Sequence, residues 1–355
     1  MKKIILLLVF CLFVTGFTFP WIKKEAQATT NSGIDVLPLM SSPSQNENRL
    51  WVGTFQIVWN DFMDNIVKGP VKFAGTTPDI IKELNKQTFK AEYLSEDSYY
   101  RKTGEVSHAM KSEIENAIKK KFNEKSDILD TIDWTPAKGR YFAYAMLKKD
   151  FKFLEAFDKL KQEKFGKNEQ KVDYFGINKD SNKNLYKNIA VLFYNSQNDF
   201  ALKLYTKSND VVYLYRTSDN KTFDKLYFDM NLKSKLYIGK KYFDDIDRFK
   251  VPDINLYQEK SFDEVCNKRI LGTNLGIDKA IETVDFKMNN EGVKLKSEAI
   301  IVTKYMSINP ANAPKPRYFY LDDTFVLFLQ EQNKDKPYFA LRVNDVALIN
   351  KTGRK

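Results

Sequence analysis

Short apolar runs rich in β-branched and aromatic residues, bounded by polar positions, dominate the second half of the chain and predict β-strands. Such runs occur at NIAVLFYN, in both halves of DFALKLYTKSNDVVYLYR, at FVLFLQEQ and at YFALRV. The polar residues Lys207, Ser208, Asn209 and Asp210 separate the two halves of the second run and predict a hairpin turn there. Because successive side chains of a strand point to opposite faces, each of these runs can bury one face in a core.

Helical spacing is found mainly in the first half of the chain. In SHAMKSEIENAIKKKF (107–122) the apolar residues fall on one helical face, and Ser107 stands where an N-cap is expected. Thr77 and Pro78 precede DIIKELNKQTF, which predicts a second helix with proline in its first turn. Helices that precede strands, without a βαβ rhythm, predict an α+β fold. We expect one domain over residues 50–350.

The first residues have the pattern of an export signal. Two lysines precede an apolar run in MKKIILLLVFCLFVTGFTFPW, and Ala26-Gln27-Ala28 offers a cleavage site, so residues 1–28 are predicted to be a signal peptide. An uncleaved anchor is the alternative, which would associate the chain with a membrane or cell wall through its N-terminus. Residues 29–49 are rich in Ser, Asn and Pro and predict a flexible arm. We therefore expect a secreted or cell-surface protein.

The distribution of charge limits the classes of partner that the chain can bind. Its cysteine content limits the source of its stability. Residues 1–28 carry four lysines and one glutamate, so the rest has 53 basic and 45 acidic residues, a net charge of +8. The lysines are spread along the chain, and no nucleic acid partner is expected. Beyond residue 28 only Cys266 remains, so no intramolecular disulfide forms and Cys266 is expected to be a small buried apolar residue. We expect a monomer.

The candidate catalytic and metal-binding motifs of the sequence are incomplete or have the wrong spacing. His108, the only histidine, stands at a predicted helix start, where a surface position is expected rather than a catalytic one. Ser218-Asp219-Asn220-Lys221 satisfies two signatures of serine acyl-enzymes, but they overlap in one polar turn and the Lys-Thr-Gly partner lies at the C-terminus. Acidic clusters at 244–247 and 322–323 lack calcium-loop spacing and predict solvated turn carboxylates. Neither an enzyme nor a cofactor is expected.

Residues 289–316, NNEGVKLKSEAIIVTKYMSINPANAPKP, combine a strand with a proline-rich sequel. From Val293 one face of the strand is apolar or small, while the other begins with Lys294 and Lys296. After Thr303 three prolines remove ladder donors and favour an extended, solvent-facing loop over about 303–318. Such a loop is easy for a protease to bind.

At this point the chain resembles the serpins, and in length it is similar to a short, divergent bacterial member. That family has a Glu-Glu-Gly hinge fifteen residues before the bond that a target protease attacks, and here Asn290-Glu291-Gly292 precedes Met306 and Ser307. The C-terminal pair of strands, with Phe325, Phe328, Pro337 and Phe339, is similar to the family's last two strands. Further matches are Val251 and Pro252, the Leu275-Gly276-Ile277 turn, and the segments YFAYAMLKKDFKF and 107–122.

The resemblance implies a serpin-like α+β fold, with helices, a large mixed sheet, smaller sheets and an exposed reactive-centre loop. It also implies a suicide inhibitor of serine or cysteine proteases with the reactive bond at Met306-Ser307. The hinge would comprise Glu291, Gly292, Val293, Leu295 and Ser297. After cleavage the loop would enter the main sheet as a new strand.

Departures from the family keep other readings open. Inhibitory members have small residues after the hinge glycine, whereas here Val293, Lys294, Leu295, Lys296 and Glu298 are larger or charged. A non-inhibitory cell-surface binding module of the same fold is therefore an alternative, and an unrelated secreted enzyme or adhesin is another. Pairing of the strands within 325–343 with the hairpin at 201–216 would favour the serpin-like fold.

Overall fold

The computed structural model describes residues 33–167, 169–294 and 316–353. Within these ranges no helix has the length and apolar character needed to cross a membrane. The helices are α1 (Thr54–Asp61), α2 (Asp79–Leu84), α3 (His108–Phe122), α4 (Phe223–Leu236) and α5 (Val346–Asn350), and a π-helical turn, Phe62–Val67, extends α1. The strands are β1 (Ile34–Leu37), β2 (Asn48–Val52), β3 (Tyr99–Glu105), β4 (Tyr141–Leu147), β5 (Phe151–Lys152), β6 (Asp158–Lys164), β7 (Lys171–Ile177), β8 (Ile189–Ser196), β9 (Asp199–Tyr205), β10 (Asp210–Arg216), β11 (Arg248–Pro252), β12 (Ile254–Ser261), β13 (Ile281–Asn289), β14 (Gly292–Lys294), β15 (Tyr318–Tyr320), β16 (Phe325–Glu331) and β17 (Phe339–Val343).

A seven-stranded sheet forms the centre of the core, with strand order β1-β2-β17-β16-β10-β9-β8. The hairpin predicted around residues 207–210 joins β9 and β10. β16 pairs antiparallel with β10, opposing Val212 to Leu329, and β17 pairs with β16. This is the pairing that the resemblance requires. Every residue of β16 and β17 is buried, because both faces of these strands are covered.

The prediction of a flexible arm over residues 29–49 is wrong from residue 34 onward. β1 and the start of β2 lie in this range and pair parallel at the edge of the seven-stranded sheet. The polar residues between them form a turn: the Asp35 carboxylate accepts hydrogen bonds from Ser44 Oγ and, at 2.8 Å, from Asn46 Nδ2. Serine and asparagine therefore close a tight connection here rather than mark a tether.

Three smaller sheets complete an α+β architecture, which confirms the predicted fold class. Their strand orders are β12-β13-β14-β5, β15-β11-β7-β6 and β3-β4. The first packs on the seven-stranded sheet, where the Phe286 and Phe339 rings stack 4.6 Å apart. α3 packs on the sheet β3-β4 and encloses a separate apolar cluster that includes Ile114 and Tyr144.

The predicted helices exist, but one is shorter than its pattern suggested. α3 begins as expected, with Ser107 Oγ accepting from the backbone N–H of Met110 at 3.1 Å. α2 ends at Leu84, although apolar spacing continued to Phe89. Asn85 ends it, because its side chain donates to Val71 O at 2.8 Å and accepts from Trp59 Nε1 at 3.2 Å. The helix terminus is thus set by contacts with distant backbone.

A buried ionic cluster joins the segment after β4 to the seven-stranded sheet. Lys149 Nζ lies 2.8 Å from Asp210 Oδ1 and also contacts Glu331 Oε1, and none of the three side chains is more than 8% exposed. Tyr338 Oη donates to Asp210 at 2.9 Å, and the Ser95 backbone N–H donates to Glu331 at 2.9 Å. Two carboxylates therefore share one ammonium away from water.

Replacing Lys149 by methionine should destabilise the fold strongly, because it leaves two buried carboxylates without a counter-charge. We expect a loss of about 3–5 kcal/mol in the free energy of unfolding, measured by urea denaturation. Lys148→Met is the matched control: that lysine pairs with the half-exposed Glu124 at the surface, and its loss should cost under about 1 kcal/mol. Equal losses in the two variants would contradict the proposed role of the cluster.

Candidate functional site

Two neighbouring strands, β4 and β13, face each other across an open space, which we call the strand gap. β4 pairs with β3 on its other side, and β13 pairs with β12, but no ladder joins β4 to β13 in the described part of the chain. A cavity of about 710 Å³ lies between them and is lined by residues 141–150 and 276–287. The backbone donors and acceptors along both edges are therefore positioned to receive another strand.

α1 forms the floor of the strand gap. The cavity is lined by Phe55, Val58 and Trp59 of α1 and by Phe62 of the π-helical turn that extends it, at spacings of three and four, as on one face of a helix. The backbone N–H of Gly53, just before α1, donates to Tyr338 O at 3.0 Å and so ties the helix to the seven-stranded sheet. The floor is apolar and fixed.

A short hairpin closes one end of the strand gap. β14 pairs antiparallel with β13, opposing Val293 to Met288, and on its other side pairs with β5, opposing Val293 to Phe151. The turn before it is held by Asn290, whose Nδ2 donates to Phe157 O at 3.1 Å. Gly292 and Val293 of the predicted hinge thus already belong to a strand between β13 and β5.

Only glycine fits at position 292. A Cβ there would lie 2.2 Å from the carbonyl oxygen of Phe151 and 2.6 Å from Cα of Lys152. Such distances are far inside van der Waals contact, so any side chain would push β14 away from β5. Close approach of the two strands therefore requires glycine at position 292.

Two of the other predicted site residues are described by the structure, and four are not. Glu291 is exposed, and its carbonyl accepts from the backbone N–H of Phe153 at 3.0 Å. Val293 is fully buried, as the predicted inward face requires. Leu295, Ser297, Met306 and Ser307 lie outside the described residues.

An ion pair fixes the chain directly after the predicted loop. Both Arg317 Nε and Arg317 Nη2 donate to the Asp247 carboxylate, at 3.1 and 2.6 Å. Asp247 is buried, so the expectation of a solvated turn carboxylate is wrong for it. Tyr318 already belongs to β15, so an exposed loop extending to 318 is also wrong at that end. The sequence contains no signal of the ion pair between Arg317 and Asp247, because each is a charged residue within a polar run.

The residues for which the sequence predicted no catalytic role do not line the strand gap. His108 is exposed at the start of α3, and Cys266 is buried. Asn220 accepts from Arg49 of β2, whereas Thr352 Oγ1 accepts from the Tyr257 backbone N–H of β12 at 3.2 Å. The two halves of the acyl-enzyme signature therefore contact different sheets.

A buried carboxyl group, Glu282, faces the strand gap from β13. Its Oε1 accepts from Thr54 Oγ1 at 2.5 Å and from the backbone N–H of Phe55 at 3.2 Å, at the N-terminus of α1. Its Oε2 is buried without a hydrogen-bond partner. Burial raises the pKa of Glu282 to about 7, although the hydrogen bonds from Thr54 and Phe55 lower it. The sequence held a signal for this site, because a glutamate stands at an inward position of an alternating strand.

Glu282 should make stability depend on pH. Because its pKa is raised in the folded state, the folded protein holds a proton that the unfolded chain releases, and stability falls as pH rises between about 4.5 and 7. The free-energy difference between wild type and Glu282→Gln should change by on the order of 3 kcal/mol across this window, measured by urea denaturation. Glu259→Gln, at an exposed position of β12, should show no such change. A constant difference for Glu282→Gln would contradict the assignment.

Comparisons with known proteins concern the fold. The sequence matches no model of a known protein family, and no curated protein sequence matches it. Serpin48 of the insect Tenebrio molitor, described as a highly specific serpin, is similar to this structure at 12% identity and a TM-score of 0.46, over 83% of this chain and 91% of that one. Human thyroxine-binding globulin with bound hormone is similar at 11% identity and a TM-score of 0.45, over 84% and 92%. A serpin of the trematode Schistosoma haematobium is similar at 12% identity and a TM-score of 0.40, over 68% and 64%.

At these identities and TM-scores the likeness supports no conclusion about inhibition or thyroxine binding. The strand pairings are properties of this structure itself: β16 lies between β10 and β17, and Gly292 of the predicted hinge lies between β13 and β5. The described part of the chain has an α+β fold in which β16 pairs with β10 as the resemblance to serpins requires.

Proposed function

We propose that the protein is a suicide inhibitor of proteases, in which residues 295–303 enter the strand gap after the loop is cut. The observation that carries this proposal is β14, which is seated between β13 and β5 and points toward the open space between β13 and β4. An entering segment would continue a strand that has already begun.

The register of β14 on β13 specifies where each following residue would lie. Lys294 opposes Lys287 and Val293 opposes Met288. Extending this antiparallel register places Leu295 opposite Phe286, Ser297 opposite Val284 and Ala299 opposite Glu282. These three positions of β13 are buried, so the small and apolar residues of the segment would face the core.

The register on the other edge of the gap agrees with this placement. Val293 opposes Phe151, and its extension places Leu295 opposite Lys149, Ser297 opposite Leu147 and Ala299 opposite Ala145. Leu147 and Ala145 pack against the main core. Both edges therefore assign the same face of the segment to the interior.

The outward face has partners as well. Lys296 would lie opposite the exposed Asp285 on one edge, where opposite charges attract, and opposite Lys148, which is paired with Glu124, on the other edge. Farther along, Ile300 would lie opposite Tyr144, which belongs to the apolar cluster under α3. The alternation changes from charged to apolar where α3 covers the sheet.

The chemical step is acyl transfer stopped midway. The protease nucleophile would form an ester or thioester with the carbonyl carbon of Met306 while the Met306-Ser307 amide bond breaks, and the released amine of Ser307 takes up the proton. Insertion of the freed segment would then carry the acyl-enzyme away from its point of attack and stop hydrolysis. No group of this chain acts as a catalyst in that step.

A second candidate is a non-inhibitory binding module of the same fold. One contact favours the binding module. Leu295 would enter beside Lys149, whose ammonium forms ion pairs with Asp210 and Glu331. Packing an apolar side chain beside a buried charge slows insertion, and inhibition requires insertion to outrun hydrolysis. The two functions differ in rate rather than in final structure.

Incubation with a panel of serine and cysteine proteases tests inhibition directly. We expect a complex that survives SDS and a released peptide that begins at Ser307, with no complex for a protease whose nucleophile is mutated. Cleavage at Met306 without a complex would reject inhibition and leave the binding module.

Cutting the loop tests insertion independently of the protease. A single cut should raise the melting temperature by on the order of 10 °C, because new ladder bonds and apolar burial are gained. Ser297→Arg should abolish this rise, since its side chain would be forced between Val284 and Leu147. Lys296→Arg places the same side chain outward and should keep the rise. A rise in both variants would contradict the register.

A further inference from the structure

The outward face of α4 is apolar although it faces solvent. Phe228, Leu232 and Leu236 follow each other at four-residue spacing and therefore form one stripe along the helix. Phe228 is 65% exposed and Leu236 70% exposed. A surface helix normally directs polar residues outward, so this stripe is a departure that calls for a partner.

The opposite face of α4 is already used for packing. Phe223, Leu226 and Met230 are fully buried against the seven-stranded sheet, and Tyr227 Oη contacts Gln330 of β16. The exposed stripe therefore is not a core face that the fold has failed to cover. It is a second apolar face on a helix that is fixed by its first.

The segment after α4 enlarges the apolar surface. Ile238 is completely exposed and Tyr242 is 62% exposed. This segment is held in place, since Lys241 O accepts from the Val191 backbone N–H at 2.9 Å and Lys241 Nζ donates to Ser234 O at 3.0 Å. Of seven large exposed apolar residues among those described, five belong to this surface: Phe228, Leu232, Leu236, Ile238 and Tyr242. We call these five the α4 surface.

Positive charge surrounds the α4 surface. Residues 221–242 contain six lysines and two aspartates. Lys225 and Lys235 are exposed on the same side of the helix as the stripe. Lys240 Nζ lies 4.5 Å from the Tyr242 ring centroid but is paired with Asp244, and Lys233 is paired with Asp199. One of the two aspartates, Asp229, is paired with Lys221. A partner must therefore offer apolar groups beneath negative charge.

We propose that the α4 surface docks onto an anionic lipid membrane, with its apolar side chains in the interface and its lysines at the headgroups. A bilayer with anionic lipids offers negative headgroups to the lysines and, beneath them, acyl chains to the apolar side chains. A second copy of this chain fits less well, because a symmetric pairing of the α4 surface would bring lysines against lysines.

This docking differs from anchoring by the N-terminus. It uses a folded surface that is fixed by β8 and β16 contacts, and it does not depend on whether residues 1–28 remain attached. It is also independent of protease inhibition, because the strand gap lies between β4 and β13 and shares no lining residue with the α4 surface.

Vesicle flotation of the full-length chain tests the proposal. Vesicles of phosphatidylcholine with about 30% phosphatidylglycerol should bind the protein at about 0.1 M salt, and pure phosphatidylcholine should bind it much less. Salt of about 1 M should weaken the binding by screening the lysines. The double variant F228Q/L236Q should lower vesicle affinity about tenfold or more. Residues 1–28 are identical in the proteins compared, so their contribution is common to all.

Matched variants separate docking from loss of structure. Leu271→Gln removes a similarly exposed leucine elsewhere and should bind like wild type. Phe228→Trp should show a blue-shifted emission only with anionic vesicles. Equal flotation of wild type and F228Q/L236Q would overturn the proposal. So would a dimer, seen by sedimentation without vesicles, that F228Q/L236Q abolishes in a protein that binds no vesicle.

Discussion

The facing edges of β4 and β13, which no ladder joins among the described residues, are the constraint on which the rest of this structure depends. Edge strands expose rows of donors and acceptors, and proteins normally cover or blunt them. Here two such edges face each other over an apolar floor formed by α1. The described residues therefore leave a gap between these two strands, and β14, which contains Gly292 and Val293 of the predicted hinge, is in place at one end of it.

Buried charge marks both ends of this incomplete sheet. Lys149, held by Asp210 and Glu331, lies near the end where β14 enters, and Glu282, with one oxygen unpartnered, lies farther along β13. Each costs free energy in the interior unless it is paired or neutralised. Both groups line the gap, so a strand that enters it would contact them.

The two exposed features of the molecule serve different partners. In the proposed mechanism the strand gap would take a segment of the chain itself, and the protease would act only as the agent that frees this segment. The α4 surface, with its apolar stripe and lysines, is rigid and is complementary to a layered, negatively charged surface.

Local sequence determined the elements in which the spacing of apolar residues, the caps and the turns all indicate the same secondary structure. The helix α3, its cap at Ser107 and the hairpin between β9 and β10 followed from spacing alone, because each is stabilised within one or two neighbouring segments. The order of motifs along 251–343 indicated the serpin-like fold, and the pairing of β16 with β10 agrees with it. The inward position of Val293 also followed from simple alternation.

Tertiary structure alone decided which polar residues are buried and which apolar residues are exposed. Asp247 was expected in solvent, but Arg317, seventy residues away, covers it. The polar arm became two strands, because the edge of the seven-stranded sheet offered backbone partners that no local pattern reveals. Glu282 and the α4 stripe had visible spacing, but only the packed structure shows that one faces a cavity and the other faces water. Long-range contacts have no local sequence signature, and these features consist of such contacts.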